Sequence, residues 1–208
     1  MSTLLQINAS IHSDSGESSQ LAAQFARGFK RQHPEVRIVQ RDLATEVVPH
    51  LSADRFAAFL STPEKRTDAQ RAVLQFSDAL IAELRGADVI VIGLPMYNFG
   101  IPSQLKAYFD HVARVGVTFK YTAQGPVGLL TGKKAYVLAT RGGQYVGTPR
   151  DTQTNYVRDF LNFIGIDQVE FVYAEGLAIS TDTKTASLAQ AAGRIEKLAG
   201  GRIEELAA

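Results

Sequence analysis

Four consecutive β-branched residues, Val89-Ile90-Val91-Ile92, leave one stretch of this chain without a polar face. A strand of that kind is covered on both sides, as in parallel sheets flanked by helices. A polar loop follows, then a helix start at Ser103. The strand therefore delivers Pro95-Met96-Tyr97-Asn98-Phe99-Gly100 to its carboxyl end, where open parallel sheets bind ligands. Two aromatic rings, an amide and a flexible glycine in one loop suit a flat, polar-edged ring system.

Strand-like and helix-like patterns alternate along the whole chain. Leu4-Leu5-Gln6-Ile7 reads as a first strand and Val36-Arg37-Ile38-Val39 as a second. Between them Leu21, Phe25 and Phe29 recur at helical spacing, so a helix runs from about Ser19 until Pro34 stops it. Arg55 to Leu60 suggests a short helix within a longer connection. Thr67 or Asp68 caps a helix whose Val73, Phe76, Leu80 and Leu84 share a face, and Gly86 closes it. After the strand Val89 to Gly93 come a helix from Ser103 to about Arg114 and an excursion from Gly116 to Gly132. Within the excursion, Val117 to Tyr121 has a strand period and Gln124-Gly125-Pro126 is turn chemistry, so a hairpin is expected. A strand from Ala135 to Thr140, a helix from about Asp151 to Ile164 and a fifth strand from Val169 to Ala174 follow. A closing helix from about Lys184 to Ala208, broken near Gly200-Gly201, completes the pattern.

Five strands separated by helices imply an α/β fold: a parallel sheet with right-handed crossovers and helices on both faces. The doubly wound order for five strands is 2-1-3-4-5. With no internal repeat or linker, residues 1–208 are expected to form one domain. A formal charge of +1 gives no strong field for nucleic acid or an anionic membrane. No long apolar span and no signal-peptide pattern are present. The absence of cysteine rules out disulfides and thiolate chemistry and fits a reducing, cytoplasmic setting.

In that strand order the first, third and fourth strands are neighbours, and each ends in a suggestive loop. Asn8 to Ser19 is dense in hydroxyls and runs into the first helix. Backbone N–H groups at a helix start can hold a phosphate without a cationic side chain. Helix capping by Ser18 or Ser19 beside a solvated turn gives the same pattern. Neither G-x-x-x-x-G-K-[ST] nor G-x-G-x-x-G occurs, which argues against a nucleotide triphosphatase and an ordinary dinucleotide-binding domain. The remaining loop, Thr140-Arg141-Gly142-Gly143-Gln144-Tyr145, contains two glycines that let the backbone approach a ligand, or simply make a turn. No pair of histidines has metal-site spacing, and His12 in the first loop reads as part of a solvated turn.

Pro95-Met96-Tyr97-Asn98-Phe99, Gln104-Leu105-Lys106 and Tyr108-Phe109-Asp110 form a distinctive block. Val117 to Thr122, Gly132-Lys133-Lys134, Arg141-Gly142-Gly143, Phe163 to Ile166 and Ala174-Glu175-Gly176 continue it. In these residues the chain resembles the FMN-dependent NADH-azoreductases, also described as FMN-dependent NADH:quinone oxidoreductases, a flavodoxin-like family. The resemblance implies a noncovalent FMN. Ser10, Gly16, Glu17 and Ser18 would hold its phosphate. Pro95, Met96, Tyr97, Asn98 and Phe99 would line the ring, and Thr140, Arg141, Gly142 and Gly143 would face its pyrimidine end. It also implies a homodimer with sites at the interface, where Phe99, Phe119, Tyr121, Phe163 and Tyr173, drawn partly from the partner subunit, would form the shelf for the substrate. The family usually has Ser-Gln-Ser where this chain has Gly16-Glu17-Ser18, so a carboxylate stands beside the implied dianion, and Glu17 is expected to point outward.

The implied activity is a ping-pong transfer of two electrons from NADH or NADPH to quinones and aromatic azo compounds, with no protein nucleophile. Gly142 and Gly143 N–H groups would steady the charge that builds at the ring edge. A single-electron flavodoxin carrier is the main rival, disfavoured by the near-neutral charge and the added hairpin.

Overall fold

The computed structural model describes residues 2–201. Its main sheet contains β1 (Thr3–Asn8), β2 (Arg37–Asp42), β3 (Val89–Pro95), β6 (Lys134–Thr140) and β7 (Gln168–Ala174). All neighbours run parallel, in the spatial order β2-β1-β3-β6-β7. With the separate hairpin β4 (Phe119–Thr122) and β5 (Gly125–Gly128) set aside, this is the expected order 2-1-3-4-5. All seven residues of β3 are buried.

Side-chain alternation splits the β3 run between two cores. Ile90 and Ile92 face α3 (Asp68–Gly86), α4 (Ser103–Val112) and α5 (Thr154–Phe163), where they meet Leu80, Leu84, Leu105, Phe109, Val157 and Leu161. Val89 and Val91 face α1 (Glu17–Gln32) and α6 (Thr181–Ala199), where they meet Phe25, Phe29 and Ile195. Burying one such large apolar side chain contributes roughly 1.5–3 kcal/mol, so the two-sided strand is the energetic centre of the fold.

Local chemistry sets the helix ends. Thr67 and Gln70 form a reciprocal capping box at the start of α3. The short helix α2 (Ala53–Leu60) begins two residues earlier than its apolar pattern indicates, because the Ser52 hydroxyl accepts from Arg55 N. In contrast, α5 begins later than Asp151, since the Asp151 carboxylate accepts from Thr154 N at 3.1 Å and from Arg141. The closing helix ends at Ala199, and the expectation that it continues toward Ala208 falls outside the described residues beyond Gly201. No helix among the described residues is long and apolar enough to cross a membrane.

The hairpin packs against the far end of α5. A Cβ on Gly128 would lie 2.0 Å from Gly165 N, so the two backbones touch only because neither residue has a side chain. Leu130 N donates to Ile164 O at 2.9 Å and fastens this contact. Because α5 runs back from the carboxyl edge of the sheet, the hairpin lies at the opposite, amino edge.

Candidate active site

At the carboxyl edge, three loops converge because Asn8 is in register with Gly93 and Pro95 with Thr140. The serine loop after β1 contains a single 3-10 turn, Ser13–Ser15, and enters α1 at Glu17. Ser10 Oγ accepts from His12 N at 3.1 Å and lies 3.3 Å from Tyr97 Oη. Ile11 N donates to the same phenol oxygen at 3.3 Å. Tyr97 thus ties the serine loop to the loop after β3. Gly16 is packed so closely that an added Cβ would meet Ser10 Oγ at 2.1 Å.

Gly16 is also the N-cap of α1, and it offers no side chain to cap the helix. The first N–H groups of the helix are therefore left for another partner. The hydroxyls of Ser18 and Ser19 are buried there with no hydrogen-bond partner. Leaving such groups unsatisfied costs on the order of 1–3 kcal/mol each. A ligand carrying acceptor oxygens would recover that energy and meet the positive end of the helix dipole. The Glu17 carboxylate engages Lys184 Nζ of α6 at 2.5 Å, so its charge has a counterion within the fold.

After β3 the chain makes a tight turn. Tyr97 N donates to Gly100 O at 3.2 Å and Gly100 N to Tyr97 O at 2.9 Å. Between them Asn98 and Phe99 both adopt positive φ, 49° and 64°. Asn tolerates this left-handed backbone, whereas for Phe it is an outlier that surrounding contacts have to enforce. One such contact is the Thr152 hydroxyl, which donates to Phe99 O.

The glycine loop after β6 is held from behind. Arg141, with a side chain fully buried, pairs with Asp151 at 2.8 Å and Glu175 at 3.0 Å. Its Nε donates to Gln153 Oε1 at 3.2 Å, and the guanidinium lies 5.2 Å from the centre of the Tyr173 ring. Burial acts to raise the Asp151 pKa, but Arg141 and Thr154 outweigh it and hold that carboxyl below the usual range. The carbonyls of Arg141, Gly142 and Gly143 accept from Leu177, Ala178 and Gly176 N at 3.1, 3.0 and 2.9 Å. Among the described residues the N–H groups of Gly142 and Gly143 meet no acceptor.

Ser10, Gly16, Glu17, Ser18, Pro95, Met96, Tyr97, Thr140, Arg141 and Gly142 share one crevice of about 180 Å3. His12 and Leu177 complete its lining. A second recess of about 510 Å3 shares Met96 and Tyr97 with it and adds Asn98, Ile11 and Ile101. Crevice and recess adjoin at Met96 and Tyr97, along the aromatic turn.

A family model for the flavodoxin-like fold matches residues 2–199. A relative from Cellvibrio japonicus, an FMN-dependent NADH:quinone oxidoreductase, is 55% identical over 197 residues, covering 95% of this chain and 98% of its own. A second FMN-dependent NADH:quinone oxidoreductase, from Burkholderia lata, is 51% identical over 92% of this chain and 96% of its own. The chain belongs to the flavodoxin-like FMN-dependent NADH:quinone oxidoreductase family. Among solved structures, an FMN-dependent NADH-azoreductase from Bacillus anthracis, in complex with FMN, superposes with a TM-score of 0.87 at 29% identity, with both chains fully covered.

The aromatics expected to form the substrate shelf are not gathered at the crevice of their own chain. Phe119 and Phe163 pack together at 4.3 Å between ring centres, with Tyr121 edge-on to Phe119 at 5.6 Å. This group sits at the amino edge of the sheet, about 20 Å from the crevice given seven-residue strands rising roughly 3.3 Å per residue. Tyr121 is 71% exposed. Tyr173 belongs instead to the Arg141 cluster, with its hydroxyl 3.0 Å from Thr154 Oγ1. Phe99 stays near the crevice but turns outward, 53% exposed and edge-on to Tyr145. Gly143 lies beside the crevice rather than on its wall, since it is absent from the lining that Gly142 contributes to.

Proposed function

We propose that this family member uses FMN to pass two electrons from NADH or NADPH to quinones and to aromatic azo compounds, with residues 1–208 acting as one flavin-binding domain. The observation that carries the site assignment is an uncapped helix start on the wall of the crevice, where the buried hydroxyl of Ser18 has no partner and that of Ser19, just behind the wall, has none either. Free donors at the positive end of a helix suit a phosphate. Ser10, the backbone of Gly16 and Glu17, and Ser18 would hold that phosphate. Pro95 to Phe99 would flank the ring, and Thr140, Arg141, Gly142 and Gly143 would meet its polar edge through backbone N–H groups.

When bound, FMN supplies two-electron exchange between a nicotinamide and a flat acceptor. The protein's part is placement and electrostatics. The free N–H groups of Gly142 and Gly143 are fixed before any charge develops, so they would stabilise an anionic edge without reorganising. Arg141 does not contact the ligand through its guanidinium in this reading. It is spent on Asp151 and Glu175, and its contribution is to hold the loop. No side chain is assigned as nucleophile or proton donor.

Phe119, Tyr121 and Phe163 are too far from the crevice of their own chain to cover a ring there. They can form a shelf only over the crevice of a second copy, which supports a homodimer with sites at the interface. One shelf for both reactants then requires the nicotinamide to leave before the acceptor arrives. Steady-state rates with both substrates varied test this order. Parallel double-reciprocal lines are expected for menadione against NADH, and lines that intersect would contradict a shared shelf.

A further inference from the structure

We infer that Gln153 is a positioning residue whose buried carboxamide clasps the aromatic turn to the glycine loop and sets the spacing between them. The consequence for FMN rests on the flavin reading above, whereas the clasp itself does not. Gln153 has no exposed surface. Its Nε2 donates to Pro95 O at 2.9 Å and to Gly100 O at 2.9 Å, while its Oε1 accepts from Arg141 Nε at 3.2 Å. Chemistry fixes the amide's orientation: a guanidinium has only donors to offer and a backbone carbonyl only acceptors.

The two donated bonds fall on either side of residues 96–99. Pro95 is the last residue of β3, and Gly100 closes the tight turn. The segment between them contains the two left-handed residues, Asn98 and Phe99. A backbone in that conformation persists only where its surroundings over-determine it. At its other end the carboxamide reaches Arg141, whose neighbours Gly142 and Gly143 carry the free N–H groups. Among the described residues no other side chain hydrogen-bonds to both loops. The backbone joins the two loops once more at their base, where Met96 N donates to Thr140 O at 3.1 Å, but at the far side of the turn the link through a side-chain hydrogen bond is this one amide.

Removing the clasp leaves Pro95 O and Arg141 Nε without their partner, leaves Gly100 O with Tyr97 N alone, and frees the turn to leave its strained conformation. A ligand then has to select the competent fraction, which weakens apparent affinity by that fraction. Gln153→Met keeps the volume and removes all three bonds. Thr152→Val removes only the exposed hydroxyl bond to Phe99 O, with little risk to folding. Val157→Ala, in the same helix and fully buried, loses packing while touching neither loop.

The test combines backbone hydrogen exchange with FMN titration on the full chain. In the flavin-free protein, Gln153→Met is expected to speed exchange in both 95–101 and 141–146, and Val157→Ala in neither. With FMN, Gln153→Met is expected to raise the dissociation constant roughly tenfold and Thr152→Val about two- to threefold, as loss of buried and exposed hydrogen bonds implies. The flavin potential should shift in Gln153→Met and stay constant in Val157→Ala. Should Gln153→Met fail to fold, Thr152→Val against Val157→Ala decides. Exchange and FMN affinity that change equally in Gln153→Met and Val157→Ala would make Gln153 merely structural and overturn the proposal, as would a Thr152→Val protein matching wild type. A wild-type protein that ignores FMN would sink the flavin reading, while the exchange contrast would still decide the role of Gln153.

Discussion

The serine loop and the glycine loop face the same crevice but are stabilised in opposite ways. The glycine loop is complete without a ligand. Its buried cation has two carboxylates, and the carbonyls of Arg141, Gly142 and Gly143 are all paired, while the N–H groups of Gly142 and Gly143 remain free. The serine loop is incomplete: its helix has no cap and two of its buried hydroxyls have no partner. Substitutions in the first should therefore act on stability, and substitutions in the second on binding.

The largest expected effect tests the complete loop. Arg141→Met leaves Asp151 and Glu175 facing each other without their cation, and should lower unfolding free energy by about 3–5 kcal/mol in urea titration. A loss within experimental error would mean that the cluster does not hold the loop. The converse test is Ser18→Ala. It removes an unsatisfied hydroxyl, so the flavin-free protein should keep its stability to within about 0.5 kcal/mol. FMN binding, followed by flavin fluorescence, should weaken by roughly tenfold or more, the scale of a lost bond to a charged acceptor. If instead Ser18→Ala destabilises the protein and leaves FMN affinity intact, the contrast between the two loops fails.

A smaller effect is expected at Glu17. Without Lys184, the Glu17 carboxylate loses its counterion beside the proposed phosphate site. Because the pair is partly exposed, Lys184→Ala should weaken FMN only about two- to fivefold at low salt, and less as salt rises. Riboflavin, which has no phosphate, should bind equally to both proteins. An equal loss for both ligands would show that Lys184 acts through α6 packing instead.

The smallest effect lies away from the crevice. His111 is buried beside the rings of Phe59 and Phe76, with Nδ1 2.9 Å from Ala107 O and Nε2 facing Arg55. Burial lowers its pKa, the Ala107 carbonyl partly opposes this, Arg55 adds to the lowering and Asp110 opposes it. The unfolded chain therefore takes up the proton first as pH falls below about 6.5, and stability drops from there down to the folded-state pKa. His111→Gln should flatten that part of a melting-temperature profile. A profile of unchanged slope would assign the dependence to another group.

Much of the architecture was legible in the sequence because it is written in short periods. The β-branched run fixed β3, helical spacing of Leu21, Phe25 and Phe29 located α1, and turn chemistry marked the hairpin. The three loops that line the crevice followed from strand ends alone. Long-range pairing was less accessible. Nothing local to Gln153 shows that it meets Pro95 and Arg141, and Lys184 lies far along the chain from the Glu17 charge it balances. The same limit explains the late start of α5: Asp151 has a good helix pattern ahead of it, but its carboxylate is committed to Arg141. Leu177 also reached the crevice unannounced, although it directly follows the Ala174-Glu175-Gly176 block. Tyr97 offered a ring for stacking, whereas its hydroxyl proves to be a tether between loops.

The central claim is that the uncapped start of α1 receives a phosphate whose ring system lies along the aromatic turn. Calorimetric titration of the flavin-free protein with FMN and with riboflavin, each with and without inorganic phosphate, tests it most directly. One FMN per chain is expected, with riboflavin markedly weaker and inorganic phosphate competing with FMN alone. Equal affinity for the two flavins, or no heat with either, would contradict the account.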